Sequence, residues 1–363
     1  LGEENMRTSS ILILIAVALA AHGVAHAAGH KRHDARQKVT IRFSLAAGKQ
    51  TVECGRDISG LGTGKQTAQL HDARFYVSAP ALIDRAGREV PIELEQNDWQ
   101  FANVALLDFE NKTGKCVGTK SLNDSIKGSV PPGPYKGFSF VVGVPSLAKG
   151  PDGKDFVLNH SNFATAPAPL DLQSMSWNWQ AGRKFVKIEV DPEGGVTRPP
   201  LPPRPTPANG TASDNAGPVP VSDKPEAAHA SEAPKAPPAR VNADGTITVS
   251  TWMLHLGSTG CKGDAVKGEI TSCASANRVP VKFASLDPAK QKIVLDLEAL
   301  FAGIDLGRDN GSATGCMSGP ADPECVPMFE NLGLNLKETA PDANDAGKPS
   351  GGGAKIFRVE AAK

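Results

Sequence analysis

Short alternations of apolar and polar residues recur along the chain with turn residues between them, which is the period of half-buried strands. Val39-Thr-Ile-Arg-Phe-Ser-Leu45 alternates, as does Ala73-Arg-Phe-Tyr-Val-Ser78. Ala81-Leu-Ile-Asp84 and Val90-Pro-Ile-Glu-Leu94 flank Arg85-Ala-Gly-Arg88 and predict a hairpin. Further strands are predicted over 104–109, 137–144, 184–190, 246–255 and 279–284, with turn chemistry at Pro131-Pro-Gly133 and Pro151-Asp-Gly153. Residues 293–301 read as a strand running into a short helix, and 325–332 as a short helix that stops near Gly333. The expected fold is all-β and mainly antiparallel: a β-sandwich or distorted barrel with short helices.

Two stretches lack this pattern. Residues 192–243 hold 13 of the 29 prolines and no aromatic residue. Such a segment cannot bury enough apolar surface to offset the entropy of ordering it, so a disordered proline-rich insertion is expected there. Residues 337–363 read as a flexible C-terminal tail, although Ile356-Phe-Arg-Val359 has the composition of a terminal strand. The predicted organisation is one β domain over 38–191 and 244–336, interrupted by the insertion.

At the N-terminus, Met6 and Arg7 precede the apolar run Ile11–Ala20 and the small-x-small sequence Ala25-His26-Ala27. This is the layout of a signal peptide, with an apolar core too short for a membrane anchor. Residues 1–27 are therefore expected to be a leader and signal peptide, and the mature chain to be periplasmic. Six cysteines suit that compartment: Cys54, Cys116, Cys261, Cys273, Cys316 and Cys325. An even number in an exported chain favours disulfides. The expected pairing is Cys54–Cys116, Cys261–Cys273 and Cys316–Cys325, one of the many connectivities that six cysteines allow. Basic and acidic residues balance at 39 each, so no global field recommends nucleic acid or an anionic membrane.

Of the eight histidines, only His71, His160 and His255 fall in segments predicted to fold. Taken singly, each is most simply a residue that caps a loop or sits half-buried with both nitrogens satisfied. His160 and His255 together, with a third donor, would suit copper. Trp177 and Trp179 are two apart and would share one face of a strand. Burial in the core is the ordinary fate of such rings, and the same holds for Trp99 and Trp252. Met175 and Met253 are possible thioether ligands, with core filling the commoner role. No hydrolase or nucleotide-binding motif competes with these tracts.

Several tracts in fixed order resemble the MbnP family, relatives of the copper-binding proteins MopE and CorA. They are Asp72-Ala-Arg-Phe-Tyr-Val-Ser78, Val104-Ala-Leu-Leu-Asp-Phe109, Gly143-Val-Pro145 followed by Leu158-Asn-His160, and Met175-Ser-Trp-Asn-Trp-Gln180. His255-Leu-Gly-Ser-Thr-Gly-Cys261, Gly315-Cys-Met-Ser-Gly-Pro320 and Cys325-Val-Pro-Met-Phe329 continue the series. The resemblance covers roughly 38–190 and 246–336. It implies a periplasmic copper-binding β-sandwich that serves copper uptake, storage or handover and is not itself an enzyme. It also implies a partner, a di-haem c-type cytochrome of the MauG and cytochrome c peroxidase group, which oxidises a tryptophan to kynurenine. His160 and His255 are then the metal ligands. Trp179 and next Trp177 are the candidates for oxidation, with Trp252 third through its closeness to His255. The chain departs from the family where Gly-Tyr-Lys-Phe is usual, since Arg183 stands in place of the tyrosine. Two other readings stand beside this one: a disulfide-stapled binding module without a functional metal site, and a copper enzyme with an open coordination position.

Overall fold

The computed structural model describes residues 36–177, 182–200, 239–264, 269–336 and 355–362. The alternating segments pair into two large sheets. In the first, Gln37–Ala47 runs antiparallel to Ser125–Val130 and parallel to Gln291–Asp296, with Glu93–Leu94 and Phe357–Ala361 at the edges. In the second, Gln66–Asp84 lies between Tyr135–Val142 and Val186–Pro192. Val279–Phe283 extends that sheet on one side, and Trp252–Leu256 and Gly315–Cys316 extend it on the other. The fold is a mainly antiparallel sandwich that does not close into a barrel.

The two sheets meet through their apolar faces. Phe43 and Phe357 of the first sheet interlock with Phe75 and Phe140 of the second, with ring centroids 5.5–6.2 Å apart. Along Val186–Pro192, Val186, Ile188 and Val190 point into this core. Lys187 and Glu189 alternate with them and belong to the other face, which a sandwich ordinarily leaves to water. Here it is covered. Val144, Leu158, Ala166, Leu170, Leu172, Met175 and Phe185 pack with Tyr76, Val104 and Leu106 of the sheet into a second apolar cluster. The segment between strands Tyr135–Val142 and Val186–Pro192 thus roofs the outer face of the second sheet. Asp72, Arg74, Lys187 and Glu189 lie buried beneath or beside it.

Several expectations need correction. The strand Gln66–Asp84 is continuous over 19 residues, where the sequence suggested two. Ala79-Pro80, between the two predicted segments, does not end the strand: Ala79 takes φ +48° and the irregularity is absorbed as a break in register opposite Ser139 and Val141. The strand expected over 246–255 is two, Ile247–Val249 and Trp252–Leu256, in different sheets. Both ends of the proline-rich stretch are ordered: Val196–Arg198 and Arg240–Val241 flank Ile247–Val249 in a small three-stranded sheet. The rest of that stretch, 201–238, lies outside the described residues, as does the leader. The tail expected to be flexible carries Phe357–Ala361, which pairs with Gln291–Asp296 because Ile356 and Phe357 have a core to enter. The tract around Met175 is not a strand. Gln173–Met175 is a 3-10 turn, and a single bridge joins Ser176 to Arg183.

The short helices Leu297–Leu300 and Cys325–Asn331 fall where the pattern placed them. Asp296 caps the first by accepting from the Glu298 amide. The six cysteines form Cys54–Cys116, Cys261–Cys273 and Cys316–Cys325. The second bond joins facing residues of the hairpin made by Thr259–Asp264 and Glu269–Ser275, and the third ties the edge strand at Cys316 to the helix that begins at Cys325. Among the described residues, no helix is long and apolar enough to cross a membrane.

Candidate metal centre

His255 lies on strand Trp252–Leu256 directly opposite Lys187, and so on the roofed face of the second sheet. Its backbone is clamped by Ser318, which donates to the His255 carbonyl at 2.9 Å and accepts from the Gly257 amide at 3.1 Å. The imidazole Nε2 lies 2.6 Å from Glu189 Oε1. Burial drives the His255 pKa down to about 4, and the Glu189 hydrogen bond offsets this only in part. Burial pushes Glu189 the other way, but the Lys187 charge and the His255 hydrogen bond outweigh it and hold its pKa below the usual range. At neutral pH the pair is therefore a neutral imidazole donating Nε2–H to a carboxylate. Nδ1 retains a lone pair and accepts no hydrogen bond among the described residues.

Trp177 packs against this histidine. The two rings meet edge to face with centroids 6.2 Å apart. The indole also lies over Gly257, where a Cβ would fall 2.7 Å from Trp177 Nε1 and 2.9 Å from the Arg183 carbonyl. Only a glycine admits the ring so close to the end of the strand. The Trp177 amide bonds the Gly182 carbonyl at 2.8 Å, closing the tract into a narrow loop.

His160 reaches the same loop from the other side. A Cβ on Gly182 would lie 3.2 Å from His160 Nδ1. Asn159 donates to His160 Nε2 at 3.1 Å and to Ser258 Oγ at 3.2 Å, and its own oxygen accepts from the Arg183 amide at 2.9 Å. The buried Arg183 guanidinium donates to the carbonyls of Asn159, Ser161 and Leu170 and to Ser161 Oγ. These bonds fall on both sides of His160, so the residue that departs from the family pattern fastens the histidine loop to the tryptophan tract. His160 Nε2 also lies 3.5 Å from Cys273 Sγ, and His160, Cys261 and Cys273 present ligand atoms within 4.8 Å of one another. The two sulfurs are joined in a disulfide, however, and offer no thiolate.

The remaining candidates are placed elsewhere. Trp179 lies outside the described residues. Trp252 is three positions from His255, so the two point to opposite faces of the strand. Trp252 is buried in the core against Phe301, with ring centroids 5.5 Å apart, and its Nε1 has no hydrogen-bond partner among the described residues. Met175 fills the second apolar cluster, while Met253 is half-buried on its strand. His71 sits where the register slips opposite Glu189 and Val190, and it contacts Asp191 at 3.2 Å and Glu189 at 3.8 Å. Burial lowers its pKa, but the Asp191 hydrogen bond and the charges of Asp191 and Glu189 prevail and raise it. Sequence reasoning missed Glu189, Asn159, Gly257 and Ser318, and marked Arg183 only as a departure from the family pattern. Lys187-Ile-Glu-Val-Asp191 did carry a signal, since charges alternating with β-branched residues at mid-sheet require a covered polar face.

The sandwich and its roof define a disulfide-stapled, all-β protein in which a histidine of the sheet, His255, meets Trp177 of the roof, and His160 of the roof meets Gly182 of the same tract. A family model described as MbnP matches residues 36–198. A solved structure described as MbnP from Methylosinus trichosporium is similar at 42% identity and a TM-score of 0.70, over 90% of this chain and 99% of that one. The chain belongs to the MbnP family. No curated protein sequence matches it.

Proposed function

We propose that this chain is an exported copper-binding protein without turnover of its own, serving copper uptake, storage or handover. His160 and His255 supply imidazole ligands, and an oxidised tryptophan of the 177–179 tract supplies the third donor. The observation that carries this reading is the convergence of His160 and His255 on one narrow loop, His160 against Gly182 and His255 against Trp177. Imidazole nitrogens suit copper. An intact indole only donates a hydrogen bond, so Trp177 cannot complete the set as it stands.

Conversion to kynurenine changes that. The oxidant is peroxide, handled by a di-haem c-type cytochrome of the MauG and cytochrome c peroxidase group. Two peroxide molecules each deliver one oxygen atom to the indole, at C2 and C3, and leave as water while the C2–C3 bond breaks. Hydrolysis then releases C2 as formate, and the ring nitrogen becomes an aromatic amine with a lone pair for a metal. The chain is the substrate of that partner. What its own residues contribute is placement: Gly257 admits the indole, Ser318 and Glu189 fix His255, and Asn159 and Arg183 fix the loop of His160.

Peptide-level mass spectrometry on protein purified from its native host, with copper quantified on the same sample, tests the reading. Kynurenine at Trp177 or Trp179 together with bound copper is the expected result. Copper with intact tryptophans would leave a histidine site and remove the haem partner. Absence of both would favour a stapled binding module with no functional metal site.

A further inference from the structure

The outer face of the second sheet carries a row of side chains of alternating charge, and the row ends on His255. Arg74 grips Asp72 through two nitrogens, and Lys187 Nζ meets the same carboxylate. Lys187 Nζ also reaches Glu189 Oε2 at 3.2 Å, while Glu189 Oε1 faces His255 Nε2 at 2.6 Å. Glu189 thus divides its oxygens, one for the ammonium and one for the imidazole. Its carboxylate cannot turn toward either without releasing the other. Asp72, Arg74, Lys187 and Glu189 are all buried, so water offers little alternative to these partners.

An ionised carboxylate can only accept hydrogen bonds. Nε2, 2.6 Å from the Glu189 carboxylate, is therefore the ring nitrogen that carries a proton, and the lone pair for a metal is left on Nδ1. Metal-binding imidazoles are commonly held in this way, by a carboxylate on the nitrogen that does not ligate. We propose that Glu189 is a positioning residue of the metal centre: it fixes the tautomer and ring plane of His255 so that Nδ1 is the atom presented to copper. This rests on the copper reading above and adds which nitrogen is used and what selects it. The rest of the row acts through Glu189, with Arg74 and Asp72 anchoring Lys187, and Lys187 anchoring the carboxylate.

The test uses the full exported chain from its native host, with the chromosomal copy carrying Glu189→Ala, Glu189→Gln or His255→Ala. Two quantities are read. One is the His255 ring tautomer in chelator-stripped protein, from long-range proton–nitrogen NMR of 15N-labelled material. The other is copper affinity, by competition with a chelator of known strength. Wild type is expected in the Nε2–H form. Glu189→Ala is expected to mix the tautomers and to weaken copper binding by about 10- to 100-fold. Glu189→Gln keeps one accepting oxygen, which the Lys187 ammonium takes, so its NH2 faces Nε2. It is expected to drive the ring to the Nδ1–H form and to weaken copper binding, a switch that a purely structural role would not tie to the ring nitrogens. Wild-type tautomer and affinity in Glu189→Ala, with copper lost in His255→Ala, would overturn the role of Glu189 and leave the copper reading standing. Full copper binding by His255→Ala would instead remove His255 from the site, and the role of Glu189 with it, whereas a wild-type protein that binds no copper would remove the copper reading itself. If Glu189→Ala does not accumulate, Glu189→Gln decides: an Nδ1–H tautomer with wild-type affinity would overturn the proposal.

Discussion

Replacing Asp72 by alanine is expected to cost about 3–5 kcal/mol of folding stability, the usual penalty for removing one partner of a buried ion cluster. Asp72 is fully buried and is shared by Arg74 and Lys187, so its loss leaves two buried cations short of a counter-charge. Asp108 and Glu110 also face Arg74, but burial pushes them up to about 8 and about 7, so near neutral pH they carry less than full charge and replace Asp72 poorly. The same cluster predicts an acid limb in the stability profile. Burial pushes the Asp72 pKa up, but Arg74 and Lys187 outweigh it and hold it below the ordinary carboxylate range. A group depressed in the folded state contributes stability above its unfolded pKa of about 3.9, and that contribution is lost as pH falls through the lower folded value. Asp72→Asn removes the charge with little change of shape, so its stability should fall less steeply with acid below about pH 4 than that of wild type. Denaturant unfolding of wild type and both variants at a series of pH values measures this. A loss under about 1 kcal/mol in Asp72→Ala would mean that the cations find other partners.

Trp252 and Trp177 should separate stability from copper. Trp252→Ala empties a fully buried site against Phe301 and is expected to cost about 3–5 kcal/mol. Trp252→Phe, which keeps most of the volume, should retain copper, because that ring lies on the opposite side of the strand from His255. Trp177→Phe fills the space beside His255 and Gly257 with a smaller ring and is expected to change stability by about 1–2 kcal/mol. If Trp177 is the residue converted, the same change abolishes the kynurenine and the bound copper. Unfolding curves and copper content on the four proteins decide the matter. Copper loss in Trp252→Phe with retention in Trp177→Phe would reverse the assignment, and retention in both would leave either Trp179 as the converted residue or a site of histidines alone, which mass spectrometry of residue 179 separates.

The strands were legible because alternation and turns are local properties. Val39–Leu45 and Val186–Val190 each show their inward face in the order of their residues, and Arg85-Ala-Gly-Arg88 marks the hairpin turn, although only Glu89–Pro91 pairs back and Glu93–Leu94 joins the other sheet. Continuity was not legible where two irregularities, at His71 and at Ala79-Pro80, are held in register by neighbours distant in sequence. Nor does period two say what covers the far side of a sheet. Lys187, Glu189, Asp72 and Arg74 look like a solvated face until Leu158, Leu170, Leu172, Met175 and Phe185 are seen packed on that side of the sheet. Elimination left His71, His160 and His255, and the family resemblance singled out the last two, but the partners that orient them are long-range. Glu189 is 66 residues from His255, and Ser318 is 63 residues from it. The opposite placement of Trp252 and His255 was available from counting along the strand.

Val196–Arg198 and Arg240–Val241 bond to the two edges of the same short strand, Ile247–Val249. The chain thus leaves the sandwich and re-enters it through a neck two inter-strand spacings wide, about 10 Å. A closed neck makes the number of residues beyond it nearly irrelevant to what lies within, since doubling a flexible loop costs only about 0.6 kcal/mol. A change in chain length between Arg198 and Arg240 should therefore leave the geometry around His255 as it is.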